Sequence, residues 1–172
     1  MNRLWLARHA EASIDESGLT AAGRRQAELL GARLADAGIT RISHSPLARA
    51  AETAAIVAAA LPGGVPVVAA EELTDSDPSE DPAAADAMVA RFANPPADEL
   101  CITHNFQVGW FLRAALETPP ARWIGLNSCN TGVTVLQWRP GRPGAAPLVF
   151  NDLTHLPPEL RWTGFPPELS LP

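Results

Sequence analysis

The chain has 172 residues with a formal net charge of −6, and 47% of its residues are hydrophobic against 19% charged. That fits one globular domain able to bury a sizeable core, and it argues against nucleic acid or an anionic membrane as the main partner. All 13 basic residues are arginine, so a Walker A lysine, a Schiff-base lysine and a lysine general base are excluded together. No G-x-G-x-x-G follows a strand, which leaves a dinucleotide fold without its fingerprint.

In chain order, residues 3–7 (RLWLA) read as a buried strand of continuous apolar character that ends abruptly in Arg8-His9. That interruption comes too early for a secretory leader, and no run reaches the roughly 18 apolar residues of a membrane span. "LTAAGRRQAELLGARLADAGI" reads as a helix capped by Thr20, with Ala27, Leu30, Leu34 and Ala37 on one face and Gly38 closing it. Residues 41–44 form a second strand. "SPLARAAETAAIVAAAL" is a second helix with Ser45 as N-cap and Pro46 in its first position. Residues 65–69 give a third strand, 71–82 (EELTDSDPSEDP) an acidic loop, and 83–92 an alanine-rich helix.

Residues 99–103 are a fourth buried strand and "NFQVGWFLRAALE" an amphipathic helix. After Pro119-Pro120, "WIGLNSC", "TGVTVLQWR" and "APLVFND" read as β-rich segments between Gly and Pro turns. Cys101 and Cys129 fall in segments that read as buried strands, without metal-ligand or redox spacing, and are expected to be reduced and inert in a cytoplasm. The alternation predicts a three-layer α/β/α domain over 1–172, its central sheet mainly parallel with an antiparallel edge strand. The tail from Leu156 holds Pro-Pro-Glu-Leu twice. With Trp162 and Phe165 it reads as a strap packed on the body or a partly disordered end, and a homodimer contact is another reading.

Ligands of open α/β sheets bind outside the carboxyl ends of the strands. The first strand delivers Arg8-His9 there, the second His44-Ser45 with Arg49 just beyond, and the fourth Thr103-His104. One arginine after a strand says little; three strand ends supplying guanidinium and imidazole groups to one edge suit a phosphoryl group. Flanking arginines should hold His9 neutral and nucleophilic near pH 7. An imidazole nitrogen could attack phosphorus while Arg8, Arg49 and a protonated His104 hold the equatorial oxygens.

The stretches "LARHAEAS", "LTAAGRRQA", "SPLARAAETA" and "ITHNF" resemble, in order, the successive motifs of the histidine phosphatase superfamily, phosphoglycerate-mutase-like branch. "NTGVTVL" and "NDLTHLP" resemble the family's last strands and closing loop more weakly. The resemblance implies the family fold, His9 as the phosphorylated nucleophile, and Arg8, Arg49 and His104 as the phosphate pocket, with no cofactor and no metal. It also implies a carboxyl group that protonates the leaving oxygen. The triplet Leu73-Thr74-Asp75 puts Asp75 where many relatives carry glutamate; Glu72 is the second candidate, and Glu71 remains possible. Asn105 either donates to a phosphate oxygen or caps its helix. Asp15 falls where some relatives contact substrate, and Glu11 either orients a pocket arginine or lies on the surface.

The short acidic loop would repel a second anionic group on a substrate and resembles that of short bacterial phosphohistidine phosphatases. The expected activity is therefore metal-independent hydrolysis of a phosphomonoester or protein phosphohistidine, with a phosphorylated small molecule or phosphoprotein as partner. A mutase-like phosphotransferase is the alternative within the family, and a phosphate-binding pseudoenzyme the alternative outside catalysis.

Overall fold

A computed structural model describes residues 2–139 and 144–161. The elements in chain order are β1 (Arg3–Arg8), α1 (Ala21–Leu34), β2 (Arg41–His44), α2 (Ala48–Ala60), β3 (Val67–Ala69), α3 (Pro82–Phe92), β4 (Glu99–Thr103), α4 (Asn105–Ala115), β5 (Val133–Trp138) and β6 (Ala145–Asp152). Six strands form one sheet in the order β3-β2-β4-β1-β5-β6. The β2–β3, β2–β4 and β1–β4 pairs are parallel, whereas β5 runs antiparallel to both β1 and β6. The expected antiparallel edge strand is thus a two-strand ribbon, because the few residues separating Trp138 from Ala145 are too short a connection for a parallel crossover.

Successive side chains of a strand point to opposite faces, and β1 uses both. Leu4 and Leu6 join Met88, Phe92, Val108, Trp110 and Phe111 in the core under α3 and α4. Trp5 and Ala7 join Leu30, Leu34, Ala54 and Val57 in the core under α1 and α2. These two cores make the three layers.

Thr20 caps α1 as expected, its side chain accepting from Gly23 N–H at 2.9 Å. The second helix differs from expectation. It starts at Ala48, two residues late, with Leu47 as N-cap and no side-chain cap bond. Ser45 does not cap it because its hydroxyl meets His104 Nε2 at 2.8 Å and accepts from Leu47 N–H at 3.3 Å. The third strand begins at Val67, not 65. Residues 123–129, read as β-rich, carry no strand: a 3₁₀ turn at Pro120–Arg122 leads into irregular chain. Cys129 is accordingly buried in a loop, whereas Cys101 is buried in β4. Trp110, Phe111 and Trp123 are all core residues. Trp162 and Phe165 lie outside the described residues.

Gly23 is where α1 meets the site loop. A Cβ there would run into the backbone carbonyl of Glu11, an atom that cannot rotate away. Glu11 N–H also donates to Gln26 Oε1 at 2.8 Å, and Gln26 Nε2 donates to Leu160 O at 2.9 Å, so this glycine permits a hydrogen-bonded junction. Gly23→Ala is expected to destabilise the fold by about 2 kcal/mol, as overpacking typically does, and urea denaturation would measure it. An unchanged midpoint would contradict the close packing.

Candidate active site

Three neighbouring parallel strands bring the site together. Arg8 pairs with Thr103 in the β1–β4 register, and His9 N–H donates to Thr103 O at 2.9 Å. On the other side of β4, Ser45 N–H donates to Ile102 O at 3.0 Å. His9, His104 and Ser45 therefore leave the sheet side by side, with the two imidazole centroids 5.1 Å apart. Arg49 enters from the first turn of α2 and Asp75 from the loop after β3. The cavity at these strand ends, about 250 Å³, is lined by Arg8, His9, Asp75, His104, Asn105 and Phe106.

His9 is buried, and its Nδ1 lies 2.7 Å from the carbonyl of Ala10. A carbonyl only accepts, so Nδ1 carries the proton and Nε2 keeps its lone pair. The backbone behind the ring is fixed from both sides. Asn130 Nδ2 donates to His9 O at 2.8 Å, and Ala10 N–H donates to Thr53 Oγ1 at 3.0 Å. Burial, reinforced by the Arg8 charge, pulls the His9 imidazolium down to about 3 against the opposing pull of the Ala10 carbonyl. The expected neutral His9 thus arises first from desolvation and second from the arginine.

His104 departs from its expected protonation. Burial, then Arg49 and Arg8, lower it to about 3, so it is neutral at pH 7. Its Nε2 faces Ser45 Oγ, and the simplest pattern has the Ser45 hydroxyl donating to Nε2 while accepting from Leu47 N–H. The proton then sits on Nδ1, a buried atom with no hydrogen-bond partner, 3.6 Å from Asp75 Oδ2. An anionic oxygen entering the cavity would give that N–H an acceptor and raise the affinity of the ring for a second proton.

The arginines are held differently. Arg8 Nη1 donates to Ser128 O at 3.0 Å. Arg49, buried on α2, forks between two carboxylates: Nη2 to Asp75 Oδ2 at 2.8 Å and Nη1 to Glu16 Oε2 at 3.2 Å. Of the two acid candidates, Asp75 lines the cavity beside both histidines. Glu72 instead pairs with Arg91 and lines a separate cavity. Asp15 is exposed and turned back on Ser13 and Ser17, whose side-chain and backbone donors hold its carboxyl below the usual range. Glu11 accepts from the Thr20 hydroxyl at 2.6 Å and touches no arginine. Asn105 lines the cavity, but its Oδ1 accepts from Ser128 N–H at 2.6 Å. It therefore braces the loop that also receives Arg8.

Sequence reasoning passed over Glu16, Ser45 in its role on His104, Asn130 and Phe106. Glu16 lies one residue from Asp15, its backbone at φ 56°, and its exposed carboxylate reaches Arg49. Nothing local marks Asn130, whose partner is 121 residues away in the chain. Among the described residues no group of three or more His, Cys, Asp or Glu is placed to hold a metal ion, and no helix is long and apolar enough to cross a membrane.

Residues 4–80 match the profile of the histidine phosphatase superfamily (branch 1). Across 187 aligned residues the chain is 31% identical to the mitochondrial serine/threonine-protein phosphatase PGAM5 of Homo sapiens, covering 91% of this chain and 64% of that protein. Identity to the mitochondrial serine/threonine-protein phosphatase Pgam5 of Caenorhabditis briggsae is 30% over 183 residues, with 90% and 64% covered. The chain thus spans a little under two thirds of these relatives. Among solved structures, phosphoserine phosphatase of Entamoeba histolytica, in complex with 3-phosphoglyceric acid, superposes with a TM-score of 0.70 at 20% identity, covering 90% of this chain and 99% of that one. Phosphoglycerate mutase of Plasmodium falciparum gives 0.67 at 23% identity, with 91% and 94% covered. Both share the fold.

Two outcomes follow from the electrostatics. The unfolded histidines take up protons near pH 6.5, but His9 and His104 refuse them until about pH 3. The unfolded state therefore binds more protons in that window, and stability must fall as pH drops through it. Thermal melts from pH 7 to 5 should show this slope, flattened in His9→Gln/His104→Gln; an equal slope in the variant would contradict the buried neutral pair. Glu16→Gln removes an exposed carboxylate that competes for Arg49 and should tighten binding of inorganic phosphate, read by calorimetry, about two- to fivefold. Unchanged binding would mean that the pair has no bearing on the pocket.

Proposed function

We propose that the chain is a histidine phosphatase, the superfamily whose profile its residues 4–80 match, and that it hydrolyses phosphomonoesters through a phosphohistidine on His9. The observation that carries this reading is the His9 tautomer: Nδ1–H tied to Ala10 O leaves Nε2 as a fixed lone pair in a cavity lined by Arg8, His104 and Asp75, the last paired with Arg49.

In the first step His9 Nε2 forms a bond to phosphorus and the ester P–O bond breaks. The Asp75 carboxylate, paired with Arg49 before substrate binds, takes up the proton of the incoming phosphate monoanion and passes it to the departing oxygen, releasing an alcohol. Arg8, Arg49 and His104 hold the equatorial oxygens as charge spreads over them. In the second step Asp75, now a carboxylate, takes a proton from water as that water attacks phosphorus. The P–N bond breaks, inorganic phosphate leaves and His9 Nε2 regains its lone pair. Asp75 serves here, and Glu72 does not, because only Asp75 shares the cavity with both imidazoles. Asp15 has no part in this scheme, its carboxylate being satisfied by Ser13 and Ser17.

Hydrolysis is favoured over mutase chemistry by the carboxylates around Arg49. Glu16 and Asp75 both pair with it, so a substrate bearing a second anion would face two negative charges at the leaving-group side. The names of the sequence relatives point to phosphoserine and phosphothreonine in proteins as the natural esters to try, ahead of phosphohistidine.

His9→Ala should lower kcat/KM for p-nitrophenyl phosphate by about a thousandfold or more. Asp75→Asn should lose about a hundredfold or more on a serine phosphate ester, whose leaving oxygen needs a proton, and less on p-nitrophenyl phosphate. Glu72→Gln should match wild type on both. Phosphate release assays on the four proteins decide it. Full activity in His9→Ala, or efficient interconversion of phosphoglycerates in place of hydrolysis, would overturn the reading.

A further inference from the structure

Beside the phosphate cavity lies a second one of about 260 Å³ that the proposed chemistry does not use. Thr74 and Ser76 line it, whereas Asp75 between them lines the first, so the two cavities share one loop segment as a wall. Its walls carry Glu71, Glu72, Asp77, Glu80 and Asp81, and its floor is Met88 with the methyl groups of Ala84 and Ala85. Among the described residues, only Glu72 of these carboxylates has a cationic partner, Arg91. Asp77 is held by Ser79 and Asp81 by the first turn of α3, which fixes two of the negative charges in place.

A second observation, independent of the charges, comes from α4. Gln107 is 1% exposed and forms part of the cavity wall. Its Nε2 donates to Ser76 O at 2.8 Å, which fixes the amide orientation and leaves Oε1 as an acceptor with no partner. An unmet buried acceptor in the wall of a cavity lined by carboxylates calls for a donor, and a cationic donor would answer both. The carboxylates are not clustered closely enough to coordinate a metal ion. The apolar floor suits the alkyl stem of a guanidinium or ammonium group.

We infer that this cavity is a subsite for an organic cation carried on the phosphorylated substrate, so that the enzyme favours phosphate esters with a guanidinium or ammonium group near the phosphorylated position. The inference rests on the hydrolase reading of the adjoining pocket and names its substrate class. In an extended peptide rising about 3.3 Å per residue, an arginine two residues from a phosphoserine reaches across one backbone segment. A small phosphorylated amine would offer the same charge on a shorter tether.

The test uses the full chain and four probes: phosphoserine peptides with Arg, Gln or Glu two residues from the phosphorylated one, and O-phosphoethanolamine. The Arg peptide should exceed the Gln peptide about five- to tenfold in kcat/KM, through KM, with the Glu peptide lowest, as a few half-screened charge pairs would give. The advantage should shrink at high salt. Glu71→Gln/Asp77→Asn/Glu80→Gln should erase the Arg preference yet leave p-nitrophenyl phosphate turnover and thermal unfolding as in wild type. A preference for O-phosphoethanolamine over uncharged ethyl phosphate, erased in the same variant, would assign the subsite to small amines instead of peptides.

Equal turnover of the Arg and Gln peptides, with both efficiently hydrolysed, would overturn the subsite and leave the phosphatase reading intact. Absence of turnover on every probe would strike the phosphatase reading instead. Fluorescence anisotropy of the labelled peptides would then still decide the subsite: tighter binding of the Arg peptide, lost in the triple variant, supports it, and equal binding refutes it.

Discussion

Arg8 lies opposite Thr103 in the parallel β1–β4 ladder, and the next amide, His9 N–H, donates to Thr103 O at 2.9 Å, so both imidazoles leave the sheet at one level. β4 is inserted between β2 and β1 although it follows both in the chain, and this insertion is the switch point of the sheet. A slip of one residue in that register would turn Leu4 and Leu6 out of the α3/α4 core, and the packing of Trp110 and Phe111 against them resists it. The core thus fixes the distance between the two rings, and the site inherits its precision from buried apolar contacts.

Two electrostatic tendencies meet at those strand ends. Desolvation keeps His9 and His104 neutral, which preserves the lone pair that the proposed reaction needs and leaves the arginines as the cations at these strand ends. The Glu16 and Asp75 carboxylates compete for the same Arg49 guanidinium. In the proposed reading, phosphate binding displaces part of that competition, which would temper affinity for the anion and keep a carboxyl group at hand for the leaving oxygen. The acidic loop extends the same charge pattern outward, and in the proposed reading that charge would select among substrates without weakening the buried contacts.

Much of this was legible in the residues. The apolar runs ending in Arg8-His9 and Thr103-His104 identified the strands and the edge where they converge, because buried parallel strands have a plain hydrophobic signature. The family motifs then assigned the phosphate pocket by resemblance. Local chemistry misled where a residue had a long-range partner. Ser45-Pro46 looks like a helix start, yet Ser45 turns to His104, which lies 59 residues on. "WIGLNSC" has strand composition, but residues 123–129 instead form the irregular wall that receives Arg8 and carries Cys129. The choice between Asp75 and Glu72 needed the third dimension, since Arg91 on α3 draws Glu72 aside. Asp15 and Glu16 are adjacent acids, and only backbone geometry separates the one that caps a turn from the one that reaches Arg49.

The covalent intermediate is the central claim, and trapping it is the most direct test. The protein would be mixed with a ³²P-labelled phosphomonoester, quenched within milliseconds in base, digested and mapped by mass spectrometry. The account predicts a base-stable, acid-labile phosphoryl group on His9, lost in His9→Ala and accumulating in Asp75→Asn on a substrate with a good leaving group. Turnover with the label on another residue, or with no label at all under conditions where Asp75→Asn stalls, would contradict it.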